Sequence, residues 1–431
     1  MAASTLDTYA GMLKERYVGT DLIEKLVFSE NVFLEMLKKR GSHDIVGGKY
    51  IVVPIQYGIP NSTGANFALA QATANNTRTT PVQVGMGDYF GVVRIGEKTM
   101  ASSETNSQAF FKNEVLEVDG LYVQAGERLS YYSTGNGGGA IAKIATAGIS
   151  GNVLTLTSAP DAANFEVGGW VCASGDGDGS LGTETLRGGG TGAAAQITNV
   201  SRAAGTITLN DATLIPGLAA GDWLSNQGDF YGVSGNPIIM RGLQAWVAAS
   251  DTPPTLWNVS SATRSIDPQR FAGCRMPTSE LVGLGLDERL SKAGAFMRTN
   301  FKTRVPTAGW CNPLDWQVLE TQLRGKGYRA ETDDSTKWGF TSIKYNVGGT
   351  LIPIRADRHI PRGQFYLIRE DDFGLHWLSD ELIYPQGNGT SNKWMPMYNS
   401  TDVEFRLISH PAFVNYTPRN QMRFSTPGFD S

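Results

Sequence analysis

The stretch GGKYIVVPIQYGIPNSTGANFALAQATANNTRTTPVQVGMGDYFGVVRIGEK, residues 47–98, contains the pattern that decides the fold. Apolar and polar residues alternate near both of its ends, which predicts one strand at residues 50–57 and another at residues 89–95. Pro54 has no N–H to donate to a ladder. We therefore expect the first strand to lie at a sheet edge or to carry a bulge.

The connection between these two strands is long and nearly uncharged. Between Lys49 and Arg94 the only charged residues are Arg78 and Asp88. Structureless loops of this length inside a domain are uncommon and are usually functional. We expect a two-stranded arm, with residues 61–84 as its tip, that becomes ordered by lying on another subunit. A disordered surface loop is the alternative.

The segment before this stretch, residues 1–40, has the pattern of amphipathic helices. Asp21 can begin a helix, Ser29 can begin another, and Gly41 ends the helical pattern after three basic residues that suit the negative end of a helix dipole. The apolar residues that need cover are Leu22, Ile23, Leu26, Val27, Val32, Phe33 and Leu37. A neighbouring subunit or the chain's own domain could supply that cover, and the sequence favours neither.

A long helix is predicted after the arm, over residues 104–134. It begins at a capping box formed by Thr105 and Gln108, and it would be about 45 Å long at 1.5 Å per residue. Its apolar residues recur at spacings of four and three, at Phe111, Val115, Val118, Tyr122, Ala125, Leu129 and Tyr132. A single stripe of this kind in a β-rich chain favours a helix lying along a sheet over a coiled coil.

An internal repeat follows a glycine run. Residues 142–175 realign with residues 195–228 at a constant offset of 53, and each copy reads strand, turn, strand, connection, strand. One copy cannot bury its apolar face alone, so we expect the two to pair into a small β-barrel or sandwich. Trp170 and Trp223 occupy equivalent positions. We interpret them as core residues, with carbohydrate binding as the alternative.

The remainder, from Tyr231 onward, has the pattern of a mixed α/β region. Helices are predicted at residues 279–296 and 314–325, and residues 242–250 and 261–273 are interpreted as sheet and connection. Further strands are predicted at 341–347, 350–354, 364–369 and 403–409. Helix and strand patterns that mix in this way indicate an α+β fold.

Composition excludes several classes of protein. The chain has 431 residues, 51 glycines, 18% charged residues and a formal net charge of −4, which gives no basic face for tight nucleic-acid binding. Cys172, Cys274 and Cys311 are far apart and are predicted to be buried, reduced thiols. Charged residues near the start argue against a signal peptide, and no apolar run is long enough to cross a bilayer, so we expect a soluble protein with no membrane partner.

Motifs for catalysis or for metal and cofactor binding are weak. A GxGxxG pattern at residues 177–182 lacks a following helix, and the acidic residues around it do not complete a calcium loop, so we interpret the segment as a linker. The four histidines lack metal-ligand spacing. The sequence Asp357-Arg358-His359 is interpreted as a loop ion pair because no nucleophile signature accompanies it. We predict no catalytic residue, metal ion or cofactor.

The order of these elements resembles one known family. The helical segment ending in KKRG (38–41), the strand GGKYIVVPIQYG (47–58), the strand YFGVVRIGEK (89–98), the long helix and the element WCNPLDW (310–316) follow the order found in the major capsid protein of tailed double-stranded DNA bacteriophages. The similarity extends over the chain outside residues 135–230. It implies an α+β tailed-phage capsid fold that carries an inserted all-β domain.

The resemblance also implies a division of the chain and a role for each part. The parts are an N-terminal arm (1–40), an extended β-hairpin loop (41–103), the spine helix of a peripheral domain (104–134), an inserted β domain of two repeats (135–232), the axial domain with the remaining peripheral domain (233–404) and a C-terminal strand and tail (405–431). In this family the extended loop lies over the adjacent subunit. The predicted inter-subunit contact residues are Leu26, Phe33, Tyr57, Asn61, Phe67, Arg78, Tyr89 and Arg94.

The partner implied by the resemblance is the protein itself, in hexamers and pentamers of an icosahedral shell. That shell would enclose double-stranded DNA without sequence-specific binding, would be made in the bacterial host cytoplasm and would become part of the virion. Scaffolding, portal and decoration proteins are further candidate partners. A bacterial nanocompartment shell protein of the same fold is the alternative, and a β-rich adhesin or tail protein is a weaker one because it does not explain the long helix.

Overall fold

The computed structural model describes residues 32–40, 50–98, 113–175, 186–189, 193–231, 236–301, 304–325, 343–347, 349–378, 394–397 and 400–425. The α-helices in these ranges are α1 (Val32–Arg40), α2 (Phe67–Ala72), α3 (Asn113–Thr134), α4 (Leu243–Trp246), α5 (Ser261–Arg264), α6 (Pro268–Ala272), α7 (Leu286–Phe296) and α8 (Pro313–Gly325).

The first strands along the chain are β1 (Ile51–Gly58), β2 (Arg78–Val84), β3 (Tyr89–Ile95), β4 (Ala140–Ser150), β5 (Val153–Leu156), β6 (Trp170–Ser174), β7 (Ala195–Ser201), β8 (Thr206–Leu209), β9 (Trp223–Asn226), β10 (Phe230–Tyr231) and β11 (Asn236–Pro237). The later strands are β12 (Cys274–Arg275), β13 (Ala308–Cys311), β14 (Ile343–Val347), β15 (Thr350–Ala356), β16 (Gln364–Ile368), β17 (Phe373–Trp377), β18 (Trp394–Pro396), β19 (Val403–Ser409), β20 (Pro411–Asn415) and β21 (Met422–Ser425).

The arm is a hairpin, but its return strand differs from the predicted one. Strand β1 pairs antiparallel with β2, with Pro54 opposite Pro81 and an irregularity between Gln56 and Gly58. The two strands form their own sheet, so the prediction of an edge strand at Pro54 is confirmed. Strand β2 lies inside the range that the sequence assigned to the tip.

Strand β3, which the sequence presented as the return of the arm, belongs to a different sheet. It pairs antiparallel with β19 along its whole length, from Tyr89 opposite Ser409 to Ile95 opposite Val403. The order of that sheet is β18-β19-β3. Alternation marked both strands correctly, but it does not specify which strands pair, and the partner of β3 lies about 310 residues away in sequence.

A six-stranded mixed sheet, in the order β12-β21-β16-β13-β15-β14, separates two hydrophobic cores. Alternate residues of β13 and β16 enter opposite cores: Trp310 and Tyr366 face one, and Cys311 and Phe365 face the other. Helices α7 and α8 cover the second core. Helix α1, the hairpin base, α3 and the sheet containing β3 pack around the first core.

Helix α3 supplies the described part of the long helix predicted at residues 104–134. Ala125, Leu129 and Tyr132 are buried, and Val118 and Tyr122 are partly buried against the first core. Helix α3 lies along β3, and Gly91 allows the close approach because a Cβ there would lie 2.8 Å from the Leu121 side chain. The side chains of Phe111 and Val115, and the capping box, lie outside the described residues.

The two repeats form one closed barrel in the order β4-β5-β8-β7-β6-β9. The offset of 53 holds for the strand pairs β5 and β8, and β6 and β9, and both Gly168 and Gly221 have positive φ in the turn before the third strand. The prediction that Trp170 and Trp223 are core residues is wrong. Both are half-buried, because the inward positions beside them belong to Val171 and Leu224.

Helix α1 packs on the chain's own core, so its apolar face does not need a neighbouring subunit to cover it. Phe33 is fully buried and packs edge-on against Trp310, with ring centroids 5.2 Å apart. The own-domain alternative therefore holds for residues 32–37, while residues 1–31 lie outside the described part of the chain. In the mixed region, residues 242–250 and 261–273 were wrongly interpreted, because they form the short helices α4, α5 and α6.

Candidate subunit interface

The base of the hairpin is anchored to the core. Val53 and Ile55 of β1 and Val82 and Val84 of β2 alternate inward and are buried. The amide side chain of Asn258 seals the free edge of β2: its Oδ1 accepts from the backbone N–H of Gln83 at 2.8 Å, and its Nδ2 donates to the Pro81 carbonyl at 2.9 Å. These contacts fix the direction in which the hairpin leaves the body.

The outer half of the hairpin contributes no buried residue to the core. None of residues 59–81 is buried, and α2 has no buried residue at all. Phe67 is 81% exposed and Leu69 is 65% exposed. Local hydrogen bonds hold the tip in shape: the Asn66 side chain caps α2 at the Leu69 N–H, and the Asn75 side chain accepts from the Asn61 N–H at 2.8 Å.

A second exposed apolar surface lies on the outward face of β3. Phe90 is 60% exposed and Val92 is 50% exposed, and Arg94 follows them on the same face. Arg94 pairs with Glu404 across the strand pair at 3.2 Å. The contact list predicted from sequence does not include Phe90 and Val92, and their contact with a neighbour is a prediction from their exposure. Alternation within residues 89–95 was the signal that could have found them, because Arg94 was already on that list.

The predicted contact residues therefore divide into groups. Asn61, Phe67 and Arg78 are exposed on the hairpin, and their contacts with a neighbour stay predictions. Tyr57 is half-buried and packs on Phe271 of the same chain, with ring centroids 5.3 Å apart, and Leu26 lies outside the described residues.

Phe33 and Tyr89 are corrections to that list. Both are buried in the chain's own core, so almost none of either side chain is exposed for contact with a neighbour. Burial also raises the pKa of Tyr89 to about 12. Tyr89 lies on the inward face of β3, which is the opposite face from Phe90.

The segment Asp357-Arg358-His359 is structural. Arg358 forms an ion pair with Glu127 of α3. His359 Nδ1 lies 3.1 Å from Ser130 Oγ and 3.4 Å from Asp357 Oδ1, so the hydroxyl and the carboxylate face the same ring nitrogen. A serine–histidine–acid relay needs the hydroxyl and an acid on opposite ring nitrogens. Glu127 Oε2 does lie 3.4 Å from His359 Nε2, but that carboxylate is paired with Arg358. Ser130 is fully buried, so its hydroxyl is not accessible to a substrate.

The structure also describes the cysteines and the other candidate sites that the sequence raised. All three cysteines are free and buried, as predicted. Within the described ranges, no group of three or more histidine, cysteine or acidic side chains is arranged to hold a metal ion. No helix in these ranges is long and apolar enough to span a membrane. The GxGxxG segment lies outside the described residues.

No protein-family model matches the sequence, and no curated protein matches it. Among solved structures, the cyanophage A-1(L) capsid asymmetric unit matches with a TM-score of 0.55 and 11% identity, over 98% of this chain and 99% of that one. The chain has the fold of a phage capsid subunit. This confirms the mixed helix and sheet capsid fold implied by the resemblance, and at 11% identity it shows the fold alone.

Two further similar structures have lower scores. The capsid of an empty GTA particle matches with a TM-score of 0.48 and 8% identity, over 98% of this chain and 99% of that one. The holo-SrpI encapsulin complex from Synechococcus elongatus PCC 7942 matches with a TM-score of 0.46 and 9% identity, over 99% and 96% of the two chains. With TM-scores below 0.5, neither adds to the assignment of the fold.

Proposed function

We propose that this chain is the major capsid subunit of a tailed double-stranded DNA phage. It assembles with itself into the hexamers and pentamers of an icosahedral shell. The observation that carries the proposal is the hairpin tip. A capsid-fold chain extends residues 59–81 with none of them buried, and it places Phe67 and Leu69 in water at the tip.

The physical argument for a neighbouring subunit is energetic. A six-residue helix is far too short to be stable in isolation. Burying Phe67 or Leu69 on a neighbour would contribute about 1.5–3 kcal/mol each. An arm rich in alanine, asparagine and threonine can adjust to slightly different neighbours, as hexamers and pentamers of one chain require. Pro54 on the edge of β1, and Asn258 bonded to the edge of β2, also disfavour strand addition by the wrong partner.

The domain roles follow from this assignment. Within residues 41–103, the hairpin of β1 and β2 acts as the extended loop, and β3 belongs to the body because it pairs with β19. Residues 104–134 act as the spine helix and residues 233–404 as the axial and remaining peripheral domains. We assign the barrel as an insertion because the chain enters and leaves it at one place. Ala140 of its first strand lies opposite Ser225 of its last strand, and outside the barrel the Gly242 N–H donates to the Gly135 carbonyl at 3.1 Å. A barrel that leaves and re-enters the body at one point can be added without disturbing the fold.

The proposed role is structural and not enzymatic. A net charge of −4 is compatible with a shell that encloses DNA without binding it tightly. In this proposal the subunit is made in the host cytoplasm and becomes part of the virion. Scaffolding, portal and decoration proteins are its further partners.

Light scattering and negative-stain imaging of the protein expressed alone test the proposal. We expect megadalton shells, or hexamers and pentamers. A stable monomer that stays monomeric when co-expressed with the proteins encoded beside it would contradict self-assembly. Genome-length, nuclease-protected double-stranded DNA in native particles distinguishes a capsid from a nanocompartment shell.

A further inference from the structure

A cleft of about 580 Å³ lies where the barrel meets the body. Its barrel side carries Lys143, Asp161 and Trp223, and its body side carries Arg362 and Arg423. Sites for small molecules commonly have volumes of about 300–1,000 Å³. The cleft is therefore large enough for a ligand of roughly nucleotide size.

The charge of this cleft is opposite to that of the whole chain. The cationic side chains that line it are Lys143, Arg358, Arg362 and Arg423, and the one lining carboxylate among the described residues is that of Asp161. Arg358 is neutralised by Glu127. The chain as a whole has a formal net charge of −4. An excess of positive charge in a concave surface attracts an anion.

The remaining cations of the cleft have no carboxylate partner among the described residues. Arg423 is held by neutral groups, with its Nε donating to Gln364 Oε1 at 2.8 Å. The Nε of Arg362 is buried and has no hydrogen-bond partner. The Lys143 ammonium lies 5.3 Å from the centroid of the Trp223 ring. Arg362 and Arg423 are half-buried, and half-buried cations without a counter-ion are unusual unless a ligand supplies it. Lys143 is exposed at the barrel side of the cleft.

The repeat provides an internal comparison. Lys143 lies directly opposite Trp223 in the pairing of β4 with β9, and Gln196 lies directly opposite Trp170 in the equivalent pairing of β7 with β6. At the offset of 53, Lys143 corresponds to Gln196, and Asp161 corresponds to Leu214. The tryptophan in the cleft therefore has a lysine opposite it, whereas the equivalent tryptophan has a glutamine. The barrel fold itself does not need the lysine.

We propose that this cleft binds a small organic phosphate that carries a ring, such as a sugar phosphate or a nucleotide. Arg362 and Lys143 hold the phosphate, since arginine and lysine donate strong, charge-assisted hydrogen bonds to phosphate oxygens. The ring packs against Trp223, as sugars and bases do on aromatic side chains. This site does not depend on the proposed assembly.

The charge of Asp161 affects how tightly the cleft binds a phosphate. Burial raises the pKa of its carboxyl to about 6. At neutral pH its charge opposes a bound phosphate, so removing that charge strengthens binding. The variant Asp161→Asn is therefore expected to gain affinity, whereas a merely damaged cleft would lose it.

Titration calorimetry with ribose 5-phosphate, AMP and inorganic phosphate tests the site. We expect the ring-bearing phosphates to bind more tightly than inorganic phosphate. Lys143→Gln, which installs the residue of the other repeat, and Arg362→Gln should each weaken binding about tenfold or more. Trp223→Leu should remove the preference for a ring, and Trp170→Leu should not. Lys292→Gln is the control for charge, because it removes an equivalent charge from α7 in an exposed ion pair with Glu280.

Three results would overturn the proposal. The first is that none of the three compounds binds the unmodified protein. The second is that Lys292→Gln weakens binding as much as Lys143→Gln, which would indicate attraction to general surface charge. The third is that Trp223→Leu leaves the ring preference intact. Circular dichroism and thermal unfolding of each variant establish that it is folded before its affinity is compared.

Discussion

The carboxylate of Asp357 accepts a hydrogen bond from the backbone N–H of Phe33 at 3.0 Å, across 324 residues of sequence. Its other oxygen accepts from the backbone N–H of His359 at 2.8 Å. Phe33 is in the first turn of α1, where helix N–H groups have no partner within the helix. Asp357 therefore caps α1 and fixes the N-terminal helix to the loop that follows β15.

We predict that Asp357→Ala destabilises the subunit. The carboxylate is buried, and its loss leaves two buried N–H groups without acceptors, which costs about 2–4 kcal/mol in the free energy of unfolding. Chemical denaturation measures this. Asp119→Ala, an exposed acid on α3, is the control and should change stability by less than about 0.5 kcal/mol. Equal stability of the two variants would show that Asp357 does not cap α1.

The hairpin tip should be removable without unfolding the subunit. We predict that replacing residues 61–77 with a short Gly/Ser linker leaves thermal stability nearly unchanged but prevents shell assembly. A longer deletion, of residues 61–84, should instead destabilise the subunit because it removes Val82 and Val84 from the core. Calorimetry and light scattering on both variants check this. Intact shells from the shorter deletion would contradict the proposed role of the tip.

The apolar residues of the tip should matter for assembly alone. Phe67→Ser combined with Leu69→Ser is expected to raise the protein concentration needed for assembly at least tenfold, because each loses about 1.5 kcal/mol or more of burial on a neighbour. Stability of the free subunit should stay within about 0.5 kcal/mol. Val167→Ser, which is 62% exposed on the barrel, is the matched control. An identical assembly threshold in all three proteins would contradict the prediction.

Asp229 should make stability depend on pH. Burial raises the pKa of its carboxyl from 3.8 to about 6, while the Tyr132 hydroxyl donates to its Oδ1 at 2.8 Å. The folded state therefore binds more protons than the unfolded state between about pH 4 and pH 6, so this group's contribution to stability falls as pH rises through that window and is level above it.

The size of this effect is about 3 kcal/mol for a shift of two units. Asp229→Asn removes the group, so the difference in stability between the variant and the unmodified protein should change across this window and be constant above about pH 7. Denaturation at a series of pH values measures it. A difference that is the same from pH 4 to pH 7 would contradict the assigned shift. Asp119→Asn provides the matched control on the surface.

Local patterns predicted single elements well and their partners poorly. Strand β19, the described part of α3 and the repeat offset could all be found from sequence, because each depends on the period of nearby residues. Strand β2 was missed because Pro81 and the polar residues around it leave only two inward valines, Val82 and Val84, which is too short an alternation to predict a strand. The pairing of β3 with β19 could not be found, since it depends on contacts made by residues far apart in the chain.

The candidate interface was predicted in part for the same reason. Exposure of Asn61, Phe67 and Arg78 follows from the polar, uncharged composition around them. The burial of Phe33 and Tyr89 could not be predicted in this way. The same sequence pattern results whether an apolar residue in a helix or strand faces its own core or a neighbour. The packing of Phe33 on Trp310 and the inward face of Tyr89 on β3 show that both residues face the chain's own core.

The central claim is that residues 61–77 lie on a neighbouring subunit. Hydrogen–deuterium exchange of these amides in assembled shells and in free subunits tests it most directly, with β1 as the internal reference. We expect rapid exchange at 61–77 in free subunits and strong protection in shells, while the core-facing strand β1 is protected in both. Equally rapid exchange at 61–77 in both states would contradict the account.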